Sequence, residues 1–208
     1  MGLGGDPVRH ARLRRGLGVA VAVLLAWAAT ANADWSGDAK PDVLAVHPDG
    51  RLLMYRTNGA GAFVPGAGVA IGSGWSGFTA VLAPGDFSGD GKPDLLARTS
   101  AGALLMYRGD GDGGFLTGAG EQVGSGWQPF TALLTPGDFS GDGKPDLLAR
   151  TAEGALLLYR GNGTGGFLTS SGEQVGSGWQ SFTALFAGGD FSGDGKPDLI
   201  ARRPRTAR

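Results

Sequence analysis

The sequence predicts an all-β chain, a partial β-propeller of about three and a half four-stranded blades, and three observations carry that reading. Trp75, Trp127 and Trp179 stand 52 residues apart, as do Asp34, Asp86, Asp138 and Asp190. A long fixed period marks a repeat architecture. Each period holds four short runs rich in Leu, Val, Thr, Tyr and Phe, set between Gly and Asp turns. No run carries a helical period. Glycine is abundant, 41 of 208 residues, yet it falls at fixed repeat positions and so reads as turns rather than low complexity.

Residues 1–33 precede the first unit and read as a secretory signal peptide. Arg9, His10, Arg12, Arg14 and Arg15 form a basic stretch, Leu17 to Ala29 is apolar, and Ala31-Asn32-Ala33 is a small-x-small cleavage pattern. The apolar run is shorter than the roughly 20 residues that span a bilayer, and Asp34 and Asp38 follow at once. The expectation is cleavage after Ala33, a secreted chain, and no membrane attachment afterwards. Residues 1–33 carry four Arg and one Asp, so the remaining chain has 14 basic and 18 acidic residues. Arg202, Arg203, Arg205 and Arg208 crowd the end, which leaves the repeated body acidic, without the basic stripe that nucleic acid requires. The chain has no Cys, so neither disulfides nor thiolate metal sites staple it, and hard cations remain as the available cross-links.

The unit from Asp86 shows how each period is built. An acidic loop leads into "PDLLART", a turn at Ala101-Gly102 leads into "ALLMYRG", a Gly/Asp loop spans Asp110 to Gly114, and "EQVGSGW" and "FTALLT" follow. The repeated region is residues 34–203, in units 34–85, 86–137 and 138–189 with an incomplete fourth at 190–203, and residues 204–208 form a basic tail. Pro204 removes a ladder donor where the fourth unit would continue. Blades in an open row leave apolar faces in water, so the reading allows self-association that completes the propeller, a longer parent product, or an unstable remnant.

The acidic loop "DFSGDGKPD" is the clearest site. Asp86, Ser88, Asp90 and Asp94 occupy positions 1, 3, 5 and 9, and Gly91 at position 6 allows positive φ. Alternating oxygen side chains around such a glycine wrap a hard cation, with Lys92 lending its carbonyl at position 7. An all-oxygen set selects Ca2+ over zinc or copper. The competing reading is a solvated turn in which Asp86 or Asp94 caps backbone amides. Close carboxylates repel one another unless neutralised, which favours the metal.

The repeated "GDFSGDGKPDLLAR" resembles the FG-GAP and VCBS repeats of integrin-like β-propellers and of many exported bacterial proteins, and the resemblance covers essentially all of the chain after Ala33. It implies calcium-binding blades. The matching ligands are Asp86, Ser88, Asp90 and Asp94, then Asp138, Ser140, Asp142 and Asp146, then Asp190, Ser192, Asp194 and Asp198. Lys144 and Lys196 take the position of Lys92. The first copy, "DWSGDAKPD", offers Asp34, Ser36, Asp38, Lys40 and Asp42, but Ala39 replaces the position-6 glycine.

Catalysis has little to stand on. His47 occurs in one unit only, there is no Cys, and the acids outside the loops (Asp49, Asp110, Asp112, Glu121, Glu153, Glu173) show no paired spacing. The "GSGW" segments present Trp75, Trp127 and Trp179 either as stacking platforms for a glycan or as blade-to-blade packing, and packing is favoured. The function expected is a secreted calcium-binding module that binds or scaffolds a protein or glycan ligand without catalysis. The alternatives are a lectin-like glycan-binding module and the accessory propeller of a secreted hydrolase whose catalytic domain is missing.

Overall fold

The structure, a computed structural model, describes residues 33–204 apart from 67 and 188. The basic and apolar stretches expected to form a signal peptide, and the basic tail after Pro204, lie outside the described residues. Four antiparallel sheets follow one another along the chain. The first has three strands, β1 (Asp42–Val46), β2 (Leu52–Arg56) and β3 (Val69–Gly72). The second has β4 (Phe78–Gly85), β5 (Asp94–Thr99), β6 (Leu104–Arg108) and β7 (Glu121–Gly124), and the third repeats it with β8 (Ala132–Gly137), β9 (Asp146–Arg150), β10 (Leu156–Tyr159) and β11 (Glu173–Gly176). The fourth is a pair, β12 (Ala184–Ala187) and β13 (Leu199–Arg202). Strands neighbour one another in chain order within each sheet, the meander of a propeller blade.

Hydrogen bonding cuts the 52-residue period at a different point from the sequence units. The "FTAVLAPG" strand β4 pairs with β5, which follows the acidic loop, through Leu82↔Leu96 and Gly85↔Asp94. The acidic loops at Asp86, Asp138 and Asp190 therefore each join the first and second strands of one blade. β4, β8 and β12 stand side by side from blade to blade, and Thr135 Oγ1 donates to the Ala83 carbonyl at 3.3 Å. These first strands form the inner edge of the array.

The second strand of each full blade is buried on both faces because it lies between neighbouring blades. Leu95, Leu96, Ala97, Leu147, Leu148 and Ala149 are at most 1% exposed. That is why "DLLAR" reads as a continuous apolar run rather than an alternation. Each such leucine contributes about 1.5–3 kcal/mol by leaving water. The outermost strands β3, β7 and β11 alternate little and stay exposed.

Candidate functional site: the acidic loops and the blade junctions

In the second blade both oxygens of Asp86 face the loop's own backbone. Oδ1 accepts the N–H groups of Gly89 at 2.7 Å and Asp90 at 3.0 Å, and Oδ2 accepts Gly91 at 2.8 Å. Asp90 Oδ1 accepts Lys92 N–H at 3.0 Å. Gly91 takes φ 85°, the left-handed conformation its place in the loop requires. The third and fourth loops repeat the pattern around Asp138 and Asp190, with amide contacts of 2.6–3.0 Å. The amide of Gly195 and its neighbours hold Asp190 below the usual carboxylate range.

Asp94 does a different job. It is fully buried, and its carboxylate accepts the N–H of Ser88 at 2.7 Å and of Gly109 at 3.3 Å, tying the loop to the hairpin beyond β6. Asp146 repeats this with Ser140 at 2.7 Å and Gly161 at 3.0 Å, and Asp42 does so with Trp35, Ser36 and Thr57. Burial pushes the Asp94 and Asp146 carboxyls up, against the downward pull of those amides. Asp198 accepts Phe191 and Ser192 N–H but is only partly buried.

The donor set fits a hard cation in the second and third loops. Among the described residues the buried Ser88 and Ser140 hydroxyls form no well-aligned hydrogen bond, though each lies near enough to Asp94 or Asp146 to pull that carboxyl down. Asp90 and Asp142 each commit one oxygen to a lysine amide, and no partner is seen for the other. Among the described residues, no three acidic or imidazole side chains converge into a ready-made metal cage. A cation here would draw on hydroxyl, carbonyl and the carboxylate lone pairs that the amides leave. The first loop departs from this. Arg56 Nη2 donates to Asp38 Oδ2 at 2.8 Å, and that hydrogen bond holds the Asp38 carboxyl down. The equivalent Arg108 and Arg160 turn instead to Glu121 and Glu173. Blade 1 has Val69 where those glutamates stand, so Arg56 takes the loop's position-5 carboxylate.

The tryptophans belong to the junctions. Trp75 and Trp127 are 4% exposed, and each packs on the next blade: Trp75 on Tyr107 at 4.8 Å and Phe115 at 5.5 Å, Trp127 on Tyr159 at 4.5 Å and Phe167 at 5.5 Å. Their indole rings lie over Gly72 and Gly124, where a Cβ would collide with the ring nitrogen. Trp179 is only half-buried; it packs against the cluster of Leu134, Leu148, Leu156 and Leu158, and among the described aromatic rings it pairs with Phe182 alone. Clefts of about 310 and 400 Å³ open beside Trp75 and Trp127, edged by Ser73 with Thr117 and by Ser125 with Thr169.

Three junction features were not singled out from the sequence. The aromatic at loop position 2 reaches the next blade, Trp35 to Phe115 at 5.9 Å and Phe87 to Phe167 at 5.3 Å. Gly165 N–H donates to the Phe87 carbonyl at 3.0 Å, so the acidic loop is itself part of the joint. Arg98 Nη1 donates to the Trp127 and Phe130 carbonyls at 3.1 and 2.8 Å, and Arg150 does the same to Trp179 and Phe182. Their recurrence at the 52-residue period was the available signal.

No curated protein gives a match to the chain. The model of the FG-GAP-like repeat matches three times, at residues 34–97, 86–149 and 138–201, each match running from one acidic loop through the next. Such repeats are in general binding or scaffold modules and typically non-catalytic. With matches spanning residues 34–201 and a blade meander under each, the chain belongs to the FG-GAP-like repeat family.

Proposed function

We propose that the chain is a secreted calcium-binding propeller module that serves as a binding or scaffold domain and carries out no catalysis. The observation that supports calcium most is the pair of buried, unpartnered hydroxyls of Ser88 and Ser140 inside all-oxygen loops. Asp86, Ser88, Asp90, the Lys92 carbonyl and Asp94 would hold one ion, and Asp138, Ser140, Asp142, the Lys144 carbonyl and Asp146 a second. Asp190, Ser192, Asp194, Lys196 and Asp198 offer the same set on an exposed loop. Bound calcium supplies charge neutralisation, and the loops in turn brace the junctions through Phe87 and Gly165. In the first loop Arg56 already neutralises Asp38, so calcium is not assigned there.

Extracellular modules hold calcium with dissociation constants of about 10⁻⁴–10⁻³ M. At millimolar calcium, a site at the tight end of that range adds roughly 1.4 kcal/mol. The test uses protein recovered from culture medium, its N-terminus read by mass spectrometry and expected at Asp34. Its melting temperature is expected to rise by several degrees in calcium over chelator, and the combined Asp90→Ala, Asp142→Ala and Asp194→Ala variant is expected to lose that difference. Identical melts in calcium and chelator would overturn the calcium reading, and an intact N-terminus held in the membrane would overturn export. The clefts beside Trp75 and Trp127 favour a second reading, glycan binding at the junctions, with ring faces as walls and Ser and Thr hydroxyls at the rim. A glycan array with and without calcium separates the two.

A further inference from the structure

The two ends of the blade array display the two halves of one joint. At each internal junction a tryptophan from the preceding blade sits on a Tyr–Phe pair of the next: Trp75 on Tyr107 and Phe115, Trp127 on Tyr159 and Phe167. In the first blade the equivalent pair, Tyr55 and Phe63, has its rings 6.1 Å apart and, among the described residues, no tryptophan over it, and Phe63 is 57% exposed. At the other end Trp179 has no Tyr–Phe pair to sit on. The apolar residues beyond it are uncovered as well. Phe191 is 60% exposed where its equivalent Phe87 is 1%, Ile200 is 42% where Leu148 is 0%, and Phe186 is 52% where Leu134 is 7%.

The strands show the same complementarity. Among the described residues the first blade has β1–β2–β3, equivalent to the second, third and fourth strands of a full blade, and of a first strand only Ala33, whose carbonyl accepts the Asp42 N–H at 2.9 Å. The last sheet has the first strand, β12, and a second, β13. We propose that a second copy of this chain docks head to tail, its β1–β3 sheet joining β12 to complete one shared blade, with its Tyr55 and Phe63 seated under Trp179. The duplicated second strand gives way. β13 is that strand, because none of its four residues is fully buried, whereas the equivalent β9 is buried along four of five. Asp198 N–H now donates to the Gly189 carbonyl at 2.7 Å, and the partner's Asp42, the same residue of the repeat, takes over that acceptor once cleavage after Ala33 has freed its N–H from the Ala33 carbonyl.

The occupant is a copy of this chain because both halves of the joint are written in it at the same repeat positions. Two copies of the described array joined at both ends close a ring of about six blades, inside the usual range of about 4–8, whereas one such array joining its own ends would make about three. The two contacts are related by a twofold axis, since each copy's Trp179 meets the other's Tyr55 and Phe63, so the pair is closed rather than running on as a filament. The proposal rests on the export reading, since an N-terminus at Asp34 leaves the inner edge of β1 free.

Light scattering on the chain recovered from medium, in calcium, tests it. A discrete dimer is expected. Phe63→Ser and Trp179→Ser, each still folded by circular dichroism, are expected to be monomeric at concentrations where the unmodified chain is dimeric. An equimolar mixture of the two is expected to regain association, since each retains the half that the other has lost. Phe63 lies on the surface, so that variant stays informative even if Trp179→Ser folds poorly. A monomer at all concentrations, open-ended aggregates, or a dimer indifferent to both substitutions would overturn the proposal and point to a different occupant of the open faces. The mass-spectrometric N-terminus reports on the export reading independently of the scattering result.

Discussion

Ala39 stands alone among the described residues as a non-glycine at positive φ, 61°. The first acidic loop has adopted the same turn as the others without the residue that makes it easy. Asp34 accepts the Asp38 and Ala39 amides at 3.1 and 2.6 Å, as Asp86 does those of Asp90 and Gly91. A left-handed L-residue costs about 1–2 kcal/mol, part of which a glycine returns through its greater freedom in the unfolded chain. Ala39→Gly is therefore expected to stabilise the protein by about 0.5–1 kcal/mol, and Gly91→Ala, at φ 85° with open space around its Cβ, to destabilise it by a similar amount. Urea unfolding midpoints measured in chelator read both. A loss of stability in Ala39→Gly would mean that the loop is held by something other than its backbone. The roles of these residues were only partly legible in the sequence. Spacing brought the carboxylates of one loop together, but it did not reveal that Asp94 and Asp146 are buried and hold amides from a hairpin fifteen residues on. Nor did it reveal that Val69, by failing to engage Arg56, changes the first loop.

The acidic loops join strands and also join blades, and a pair of glycines separates the two tasks. Gly89 and Gly141 occupy the same loop position at φ 76° and 80°. A Cβ on Gly89 would lie 2.2 Å from the Gly163 carbonyl oxygen of the next blade, while one on Gly141 would meet nothing within 4 Å. Both alanine variants bear the left-handed strain, and only Gly89→Ala also overpacks the joint, which costs a further 1–3 kcal/mol or about that. Thermal unfolding of the two, at concentrations where the chain is monomeric, should differ by that amount; equal losses there would show that the blades shift apart freely. The strands themselves were legible because each is a short β-forming run between turns, and so was the all-β class. The point at which hydrogen bonds divide the period was not. A repeat fixes spacing, and nothing in "FTAVLAPG" says whether it pairs with the strand before it or with the strand after the acidic loop.

A row of blades has its stability concentrated in the middle, since each blade contacts only its neighbours. β5 and β9 carry Leu95–Ala97 and Leu147–Ala149 at 0–1% exposure, while every residue of β13 is at least partly exposed. Amide exchange followed by mass spectrometry should then be graded at low protein concentration. The Leu96 and Leu148 amides should exchange slowest, near the rate set by global unfolding, and those of Leu199–Arg202 fastest, through local opening of the last sheet. The shared blade adds a concentration dependence of opposite sign in two neighbouring strands. As copies associate, β12 gains a covering sheet and its amides should slow, whereas β13 is displaced and its amides should exchange faster still. Equal protection across all four sheets would mean that the array unfolds as one unit and would sink the graded picture. Protection of β12 and β13 rising together would mean that a partner covers the last sheet without exchanging a strand.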